Sequence, residues 1–245
     1  DSENDINTQM ELTESDANGR FAINNHDLLE AIKGFSEQPI TFDVNLQDNI
    51  AKISYQNGLF SLPVENADEY PQSQPITEGI NTIVMPSNVL ADNINRSLFA
   101  TAQDELRPVM NGIYFDLTPE HLAVVASDGH KLVRNKVFTV QSEQPASFIL
   151  PKKPAGLLKN LLQKDGGDVE IKFNERNAEI NYGDGRLSCR LIEGRYPNYN
   201  SVIPQNNTNT LTVDRLALLA ALRRVQPFAN DSSNPIRFHV EGSTL

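Results

Sequence analysis

A single cysteine in 245 residues, Cys189, excludes an internal disulfide framework and suits a reducing compartment. No apolar run approaches the roughly 18 to 20 residues that cross a bilayer. The opening DSENDINTQM has neither a basic nor an apolar segment and so bears no mark of an export signal. A soluble, cytoplasmic protein is expected. A GxxxxGK[ST] phosphate loop, an HExxH pair, a CxxC pair and a calcium-loop spacing of acids are all missing, which removes the sequence grounds for a cofactor or metal. The first residue is Asp rather than Met, as in a fragment.

What is there is an acidic chain with a 39% hydrophobic share, long enough to bury a core and to make about two domains. Its net charge of −11 ordinarily argues against a nucleic-acid partner, because phosphate contacts draw on Lys and Arg. The excess is local. Residues 1–79 carry 15 acids and 3 bases, residues 80–207 carry 14 of each, and residues 208–245 carry 3 acids and 4 bases.

The segment YGDGRLSCRLIEGRYP from Tyr182 has a counterpart about 127 residues earlier, YQNGLFSLPVENADEYP from Tyr55. The match extends backwards. The stretches from Leu28 and from Leu157 both read helix, strand, turn, strand, turn, with helix apolar positions at Leu28, Leu29 and Ile32 and at Leu157, Leu158 and Leu161. Ile40, Phe42 and Val44 alternate like Val169, Ile171 and Phe173, and Asn57-Gly58 and Asp184-Gly185 read as hairpin turns that use left-handed backbone. NTIVMPSNVLADNINRSLFATA from Asn81 has its counterpart from Asn209, each a strand and a helix followed by a new strand, at Gly112–Leu117 and at Ile236–Val240.

Such self-similarity at a fixed period means a duplicated unit. Helix centres near residues 31, 93, 158 and 219 fall about 62 apart, so each unit contains two helix-plus-sheet halves. The fold class expected is α+β, with one-sided helices gathered on one face of antiparallel sheets. The domains expected are 1–79, lacking its beginning, 80–207 entire, and 208–245 as the start of a third.

The helix faces then say what the common surface meets. Pro151 to Lys164 holds four lysines and no carboxylate: Lys152 and Lys159 share one stripe, Lys153 and Lys164 the adjacent one. The helix over 213–225 carries Arg215, Arg223 and Arg224 against Asp214, with Arg215 and Arg224 pointing oppositely. The helix over 87–100 is nearly neutral, with Asn88, Asp92, Asn95 and Arg96, and the one over 25–34 is the exception, with Asp27, Glu30 and Lys33. Any one charged face is also what a solvated helix has. Basic or amide-rich faces on repeated helices, with the acid elsewhere, suit a surface that touches phosphates without reading bases.

Asp128 and His130 flank a glycine, the one arrangement with a catalytic look, and a hydrolase using them is an alternative function. A dyad needs a nucleophile or a held water that the sequence does not supply, and Asp-Gly between apolar strands is a tight hairpin. Cys189 alternates with Leu187 and Leu191 and so takes a strand-core position. No active site is proposed. The other alternative is an acidic repeat protein that acts as a protein-binding scaffold without DNA.

The repeat, ASDGHKL at 126–132, LRPVMNGIYFDL at 106–117 and LIEGRYPNYNSVIP at 191–204 together resemble the bacterial sliding clamp family, the beta subunit of DNA polymerase III, over essentially the whole chain. The resemblance implies a DNA-clamp fold of repeated domains, two helices per domain lining the inner face of a ring. It implies a non-catalytic processivity factor that encircles duplex DNA independently of sequence and tethers the replicative polymerase, the clamp loader and repair proteins through short linear peptides. A homodimer ring is implied for the intact protein, with no cofactor.

By residue, the resemblance implies a partner-peptide pocket at Met110, Ser127, Gly129, His130, Lys131, Leu132, Pro197, Ser201 and Val202, completed by chain beyond Leu245. Ordinary core packing explains Met110, Leu132 and Val202 equally well without it. A ring seam is implied at Phe60 and Leu62 on an edge strand and at Phe228, although spacing alone also fits core positions. The DNA-facing cations expected are Arg96, Lys152, Lys153, Lys159, Lys164, Arg215 and Arg223.

Overall fold

The computed structural model describes residues 3–70, 75–162, 166–229, 235–242 and 244. The chain divides into two compact units, Asp1–Pro197 and Asn198–Leu245.

In the first unit the second repeat is built from two copies of one strand-helix-meander pattern. The first copy is β6 (Asn81–Pro86), α2 (Ser87–Ser97), β7 (Gly112–Leu117), β8 (Leu122–Ser127) and β9 (Leu132–Val137). The second is β10 (Ala146–Pro151), α3 (Lys152–Leu162), β11 (Asp168–Phe173), β12 (Asn177–Tyr182) and β13 (Gly185–Arg190). Each copy lends its leading strand to the other: β10 pairs with β7 to give the sheet β10-β7-β8-β9, and β6 pairs with β11. The exchange ties the copies together.

Both helices are one-sided for the reason their sequences suggest. α2 buries Leu90, Ala91 and Ile94, α3 buries Pro154, Ala155, Leu158 and Leu162, and the two pack against each other. Their apolar faces meet Val169, Ile171 and Phe173 of β11 and Phe115, Leu122 and Val124 of the other sheet in one core. Phe115, Phe148 and Phe173 run through it in contact, with ring centroids 4.7 and 4.5 Å apart. Each fully buried large side chain contributes roughly 1.5–3 kcal/mol. The outer face of β10-β7-β8-β9 is covered as well: the segment after β13 turns back over it, Ile192 donates its amide to Ile149, and Tyr196 stacks on Tyr114 with centroids 4.6 Å apart. That packing gives the Glu-Gly-Arg-Tyr-Pro stretch its place in the repeat.

The first repeat shows the same parts in a thinner setting: β2 (Phe21–Ile23), α1 (Asn25–Ile32), β3 (Thr41–Asn45), β4 (Ile50–Tyr55) and β5 (Gly58–Asn66), with sheet order β2-β5-β4-β3. Ala51, Ile53 and Val64 are buried, but α1 has no buried residue and Phe42 is exposed, whereas Ile171 and Phe173 are buried. The difference is one of cover. The second repeat has β6 on the edge of β11, and among the described residues nothing pairs with the outer edge of β3.

β1 (Asn4–Thr8) lies outside its own repeat's sheet and pairs antiparallel with β13, Asn4 opposite Cys189 and Ile6 opposite Leu187, completing the five strands β1-β13-β12-β11-β6. Compactness therefore groups residues on both sides of position 80.

The two hairpins form where the repeat places them, with a different physical reason from the one expected. Tyr55 pairs with Gly58 and Tyr182 with Gly185, so the turn residues are Gln56-Asn57 and Gly183-Asp184. Of these four only Gly183 has positive φ, at 42°, and Gly58 and Gly185 do not adopt it. The latter two glycines make room for a tyrosine ring.

The second unit holds a 3-10 turn (Tyr199–Val202), α4 (Arg215–Val225) and a second 3-10 turn (Gln226–Phe228). Asp214 caps α4, its Oδ1 accepting from the Ala217 amide at 2.7 Å. The strand expected over 236–240 is not formed: residues 235–240 have no regular structure, and Ile236, Phe238 and Val240 are exposed. Alternating sequence alone makes no strand without a partner ladder.

Candidate functional site

α3 presents its cations in its first and last turns. Lys152 and Lys153 are exposed in the first turn and Lys159 is half-buried two turns on, with no acid in the first turn to offset them. Lys164 lies outside the described residues. α2 carries Arg96, but its guanidinium sits 3.7 Å from Asp92 one turn earlier, which lowers the net charge of that face. On α4, Arg215 stands in the first turn beside its capping Asp214, and Arg223 and Arg224 are exposed in the last, where the carbonyl end of the helix favours cations. α1 is acidic at its start, with Asp27 in the first turn, and its Lys33 is 3.3 Å from Glu30.

The loop between β8 and β9 is a four-residue connection built by Asp128. Its Oδ1 accepts from the amides of His130 and Lys131, each at 2.9 Å, and its Oδ2 is paired with the Lys131 ammonium. Ser127 closes the base, its hydroxyl donating to the Lys131 carbonyl at 2.9 Å and accepting from the Gly129 amide at 3.2 Å. Gly129 sits at φ 92°, which an L side chain rarely adopts. The Lys131 side chain first, then the two amides, hold the Asp128 carboxyl well below the usual carboxylate range. Both its oxygens are thus committed to the turn, and Asp128 and His130 do not form a dyad.

Of the other expected pocket residues, Leu132 begins β9 and is half-buried, Met110 is buried below the loop before β7, and Pro197 is exposed at the end of the first unit. Ser201 and Val202 belong to the second unit, both exposed, with the Ser201 hydroxyl donating to the Asn198 carbonyl at 2.7 Å. Phe60 and Leu62 lie on β5, half-buried on the side of the sheet that carries Ile53, and Phe60 touches Phe35 and Tyr55 with centroids 6.0 Å from each. Phe228 is 88% exposed.

The sequence reading missed a polar cleft of about 290 Å³ beside this hairpin, lined by Thr101, Ala102, Gln103, Asp104, Arg107, Asp128 and Lys152. The loop that forms it is locked. Asn111 accepts from the Asp104 amide at 2.9 Å and donates to the Asp104 carbonyl at 3.0 Å, and the Ala102 amide donates to Met110 at 2.8 Å. Arg107 donates through Nε to Asp104 at 2.8 Å, which holds the Asp104 carboxyl low, and its Nη1 would lie 3.1 Å from a Cβ on Gly129. The guanidinium thus lies beside the Gly129 turn on the cleft side, and Lys152 joins the cleft to α3. The available signal was Asp104 three residues before Arg107, an ion-pair spacing.

Cys189 takes its expected core position. Burial pushes its thiol up to about 12, far from a nucleophile's range. Among the described residues no helix is long and apolar enough to cross a membrane.

Comparison with known proteins bears on both repeats. The DNA polymerase III beta subunit N-terminal domain matches residues 1–74, and the central domain of the same subunit matches residues 84–198. The chain is 28% identical over 212 residues to the beta sliding clamp of Synechococcus elongatus, covering 84% of this chain and 56% of that protein. It is 26% identical to that of Haemophilus influenzae over 245 residues, all of this chain and 66% of the relative. The chain thus spans less than two thirds of the length of either relative.

Among solved structures, the Bacillus subtilis DNA polymerase sliding clamp superposes with a TM-score of 0.83 at 24% identity, over 95% of this chain and 63% of that one. A Helicobacter pylori beta clamp bound to a DNA ligase peptide superposes with a TM-score of 0.78 at 22% identity, over 91% and 62%. At such identities the likeness establishes the fold. With two domains of one subunit matched in order over most of its length, the chain belongs to the DNA polymerase III beta subunit family.

Proposed function

We propose that this chain is part of a DNA sliding clamp, a processivity factor without chemistry of its own that encircles duplex DNA in the cytoplasm and tethers the replicative polymerase. The observation that carries this is the seat of β1 on β13. With β1 in place Leu187 and Cys189 are buried; at the matching places on β5, Phe60 and Leu62 are half-exposed, because β2 reaches only Val64–Asn66 and leaves the rest of that edge open. β9 holds in the second repeat the place that β1 holds in the first, and among the described residues its outer edge is unpaired.

Applied repeat by repeat, one rule joins each unit to the next: the last strand of the first meander seats on the β13-like strand that follows. β9 then takes the β13-like strand of a third repeat, and that repeat's β9-like strand takes β5 of a second chain. The chain closes head to tail as a homodimer, with Phe60 and Leu62 at the seam facing Phe228. The domains on this reading are 1–79, 80–207 and 208–245.

Lys152, Lys153, Lys159 and Lys164, with Arg96, Arg215 and Arg223, supply phosphate attraction that is weak and salt-sensitive, as sliding requires. The rigid hairpin at Ser127–Lys131, with Met110, Leu132 and Pro197, offers the wall of a groove for short peptides from polymerase, loader and repair proteins, of the kind the Helicobacter clamp holds from DNA ligase. Loading of the intact protein on nicked circular DNA tests the reading. Retention through gel filtration that is lost when the DNA is linearised supports it; no retention, or retention on linear DNA, overturns it in favour of a scaffold or a simple DNA binder.

A further inference from the structure

The two repeats of the first unit charge their corresponding helices differently. The register is fixed at both ends of the match, by Tyr55 and Gly58 against Tyr182 and Gly185 and by β2 against β10, so α1 is the counterpart of α3. Asn25 and His26 stand where α3 has Lys152 and Lys153. α1 adds Asp27 and Glu30, both more than half exposed, and its Lys33 is held by Glu30. α3 has no acid on its described turns, and Lys152 and Lys153 are both exposed at its start.

We infer that the lining of the proposed clamp is electrostatically polarised: within this unit, duplex phosphates are held against the lysines at the α3 start, and α1 is a repelling segment that keeps the duplex off the first repeat. The inference rests on the clamp reading, because only a shared lining brings α1 and α3 before the same duplex. A like charge within a Debye length of the phosphates raises the energy of the complex without forming a contact, whereas a lysine on a phosphate releases a counterion. These two effects differ in their salt dependence.

The test measures affinity of the intact protein for a fluorescent duplex as a function of salt. Lys152→Ala is expected to weaken binding and to reduce the slope of log K against log salt by about 0.9, one phosphate contact. Asp27→Asn with Glu30→Gln is expected to strengthen binding at low salt by roughly five-fold, two charges at about 8 Å in water, with a smaller change of slope than that of Lys152→Ala. Both acids are exposed and Asn24 still caps the helix, so these variants fold. If the acid-neutralising variant binds as wild type while Lys152→Ala weakens binding, the polarised lining is overturned and the clamp reading stands. If neither changes, both fall.

Discussion

Tyr182 lies across Gly185 so closely that a Cβ there would come 2.5 Å from its ring, and Tyr55 stands in the same relation to Gly58. This relation is why Tyr-x-x-Gly is written twice. Gly185→Ala is expected to cost about 1–3 kcal/mol, the range for forcing atoms into a packed site. The cost at Gly58 is expected to be smaller, since Tyr55 is only half-buried and has room to swing, whereas Tyr182 belongs to the core. Urea midpoints of the two variants check the order; equal losses would contradict it.

Tyr196 is buried on the Tyr114 ring with its hydroxyl lacking a hydrogen-bond partner of good geometry, although the Ser127 backbone faces it. A buried polar group without a bond costs stability, while the ring beneath it contributes stacking and area. Tyr196→Phe is therefore expected to leave stability unchanged or raise it by about 1 kcal/mol. Tyr196→Ala is expected to lose about 3–5 kcal/mol. Thermal unfolding of the pair separates the two contributions.

Much of this was legible in the sequence because repetition amplifies weak local signals. The apolar spacing located both helices, although of the residues it named only Leu158 is buried, Leu157, Leu161, Leu28 and Ile32 are half-buried, and Leu29 is exposed; Val169, Ile171 and Phe173 gave both the strand and its buried face. What escaped depended on partners distant in sequence. Nothing local in NDINT says that β1 seats on β13 some 180 residues later. Likewise Ile236, Phe238 and Val240 alternate as a strand does and form none, since a strand is made by its neighbour. The cleft at Arg107 was hidden because its walls come from a loop, a hairpin and a helix start, three places that only the fold unites.

The Asp128 turn gives a prediction with a sign in pH. Its folded carboxyl titrates below the ordinary range near 3.8, so its contribution is present above that range and is lost as pH falls through the folded value. Asp128→Asn keeps the oxygen that accepts from two amides and gives up the exposed ion pair with Lys131, a change of at most about 1 kcal/mol. Asp128→Ala leaves the amides of His130 and Lys131 without their acceptor and is expected to lose about 1–2 kcal/mol. Hydrogen exchange at the His130 and Lys131 amides checks this directly: rates should rise in the alanine variant and hold in the asparagine one. Faster exchange in both would mean that the ion pair, rather than the turn, holds the loop.

The β1 seat makes Cys189 a reporter for the edge that the proposed clamp uses at every junction. Asn4 lies opposite Cys189 and Ile6 opposite Leu187, so this strand covers the backbone edge of β13 beside the sulfur, which itself points into the core. Ile6→Asp sets a charge against Leu187 and is expected to peel β1 away while the core between α2 and α3 stays intact. Labelling of Cys189 by a thiol reagent at pH 8 should then accelerate by at least about ten-fold, with circular dichroism nearly unchanged. The alkaline limb of stability gives a second readout. The folded thiol, pushed from 9.0 to about 12, binds its proton more tightly than the unfolded chain, so its contribution is whole below pH 9 and disappears as pH rises toward 12. Cys189→Ala should flatten the fall of stability between those values, leaving the part due to Tyr196 and Tyr114, whose hydroxyls are likewise raised by burial. Unaltered labelling in the Ile6 variant would mean that β1 does not guard this edge, and the rule by which β5 and β9 await partner strands would lose its one worked instance.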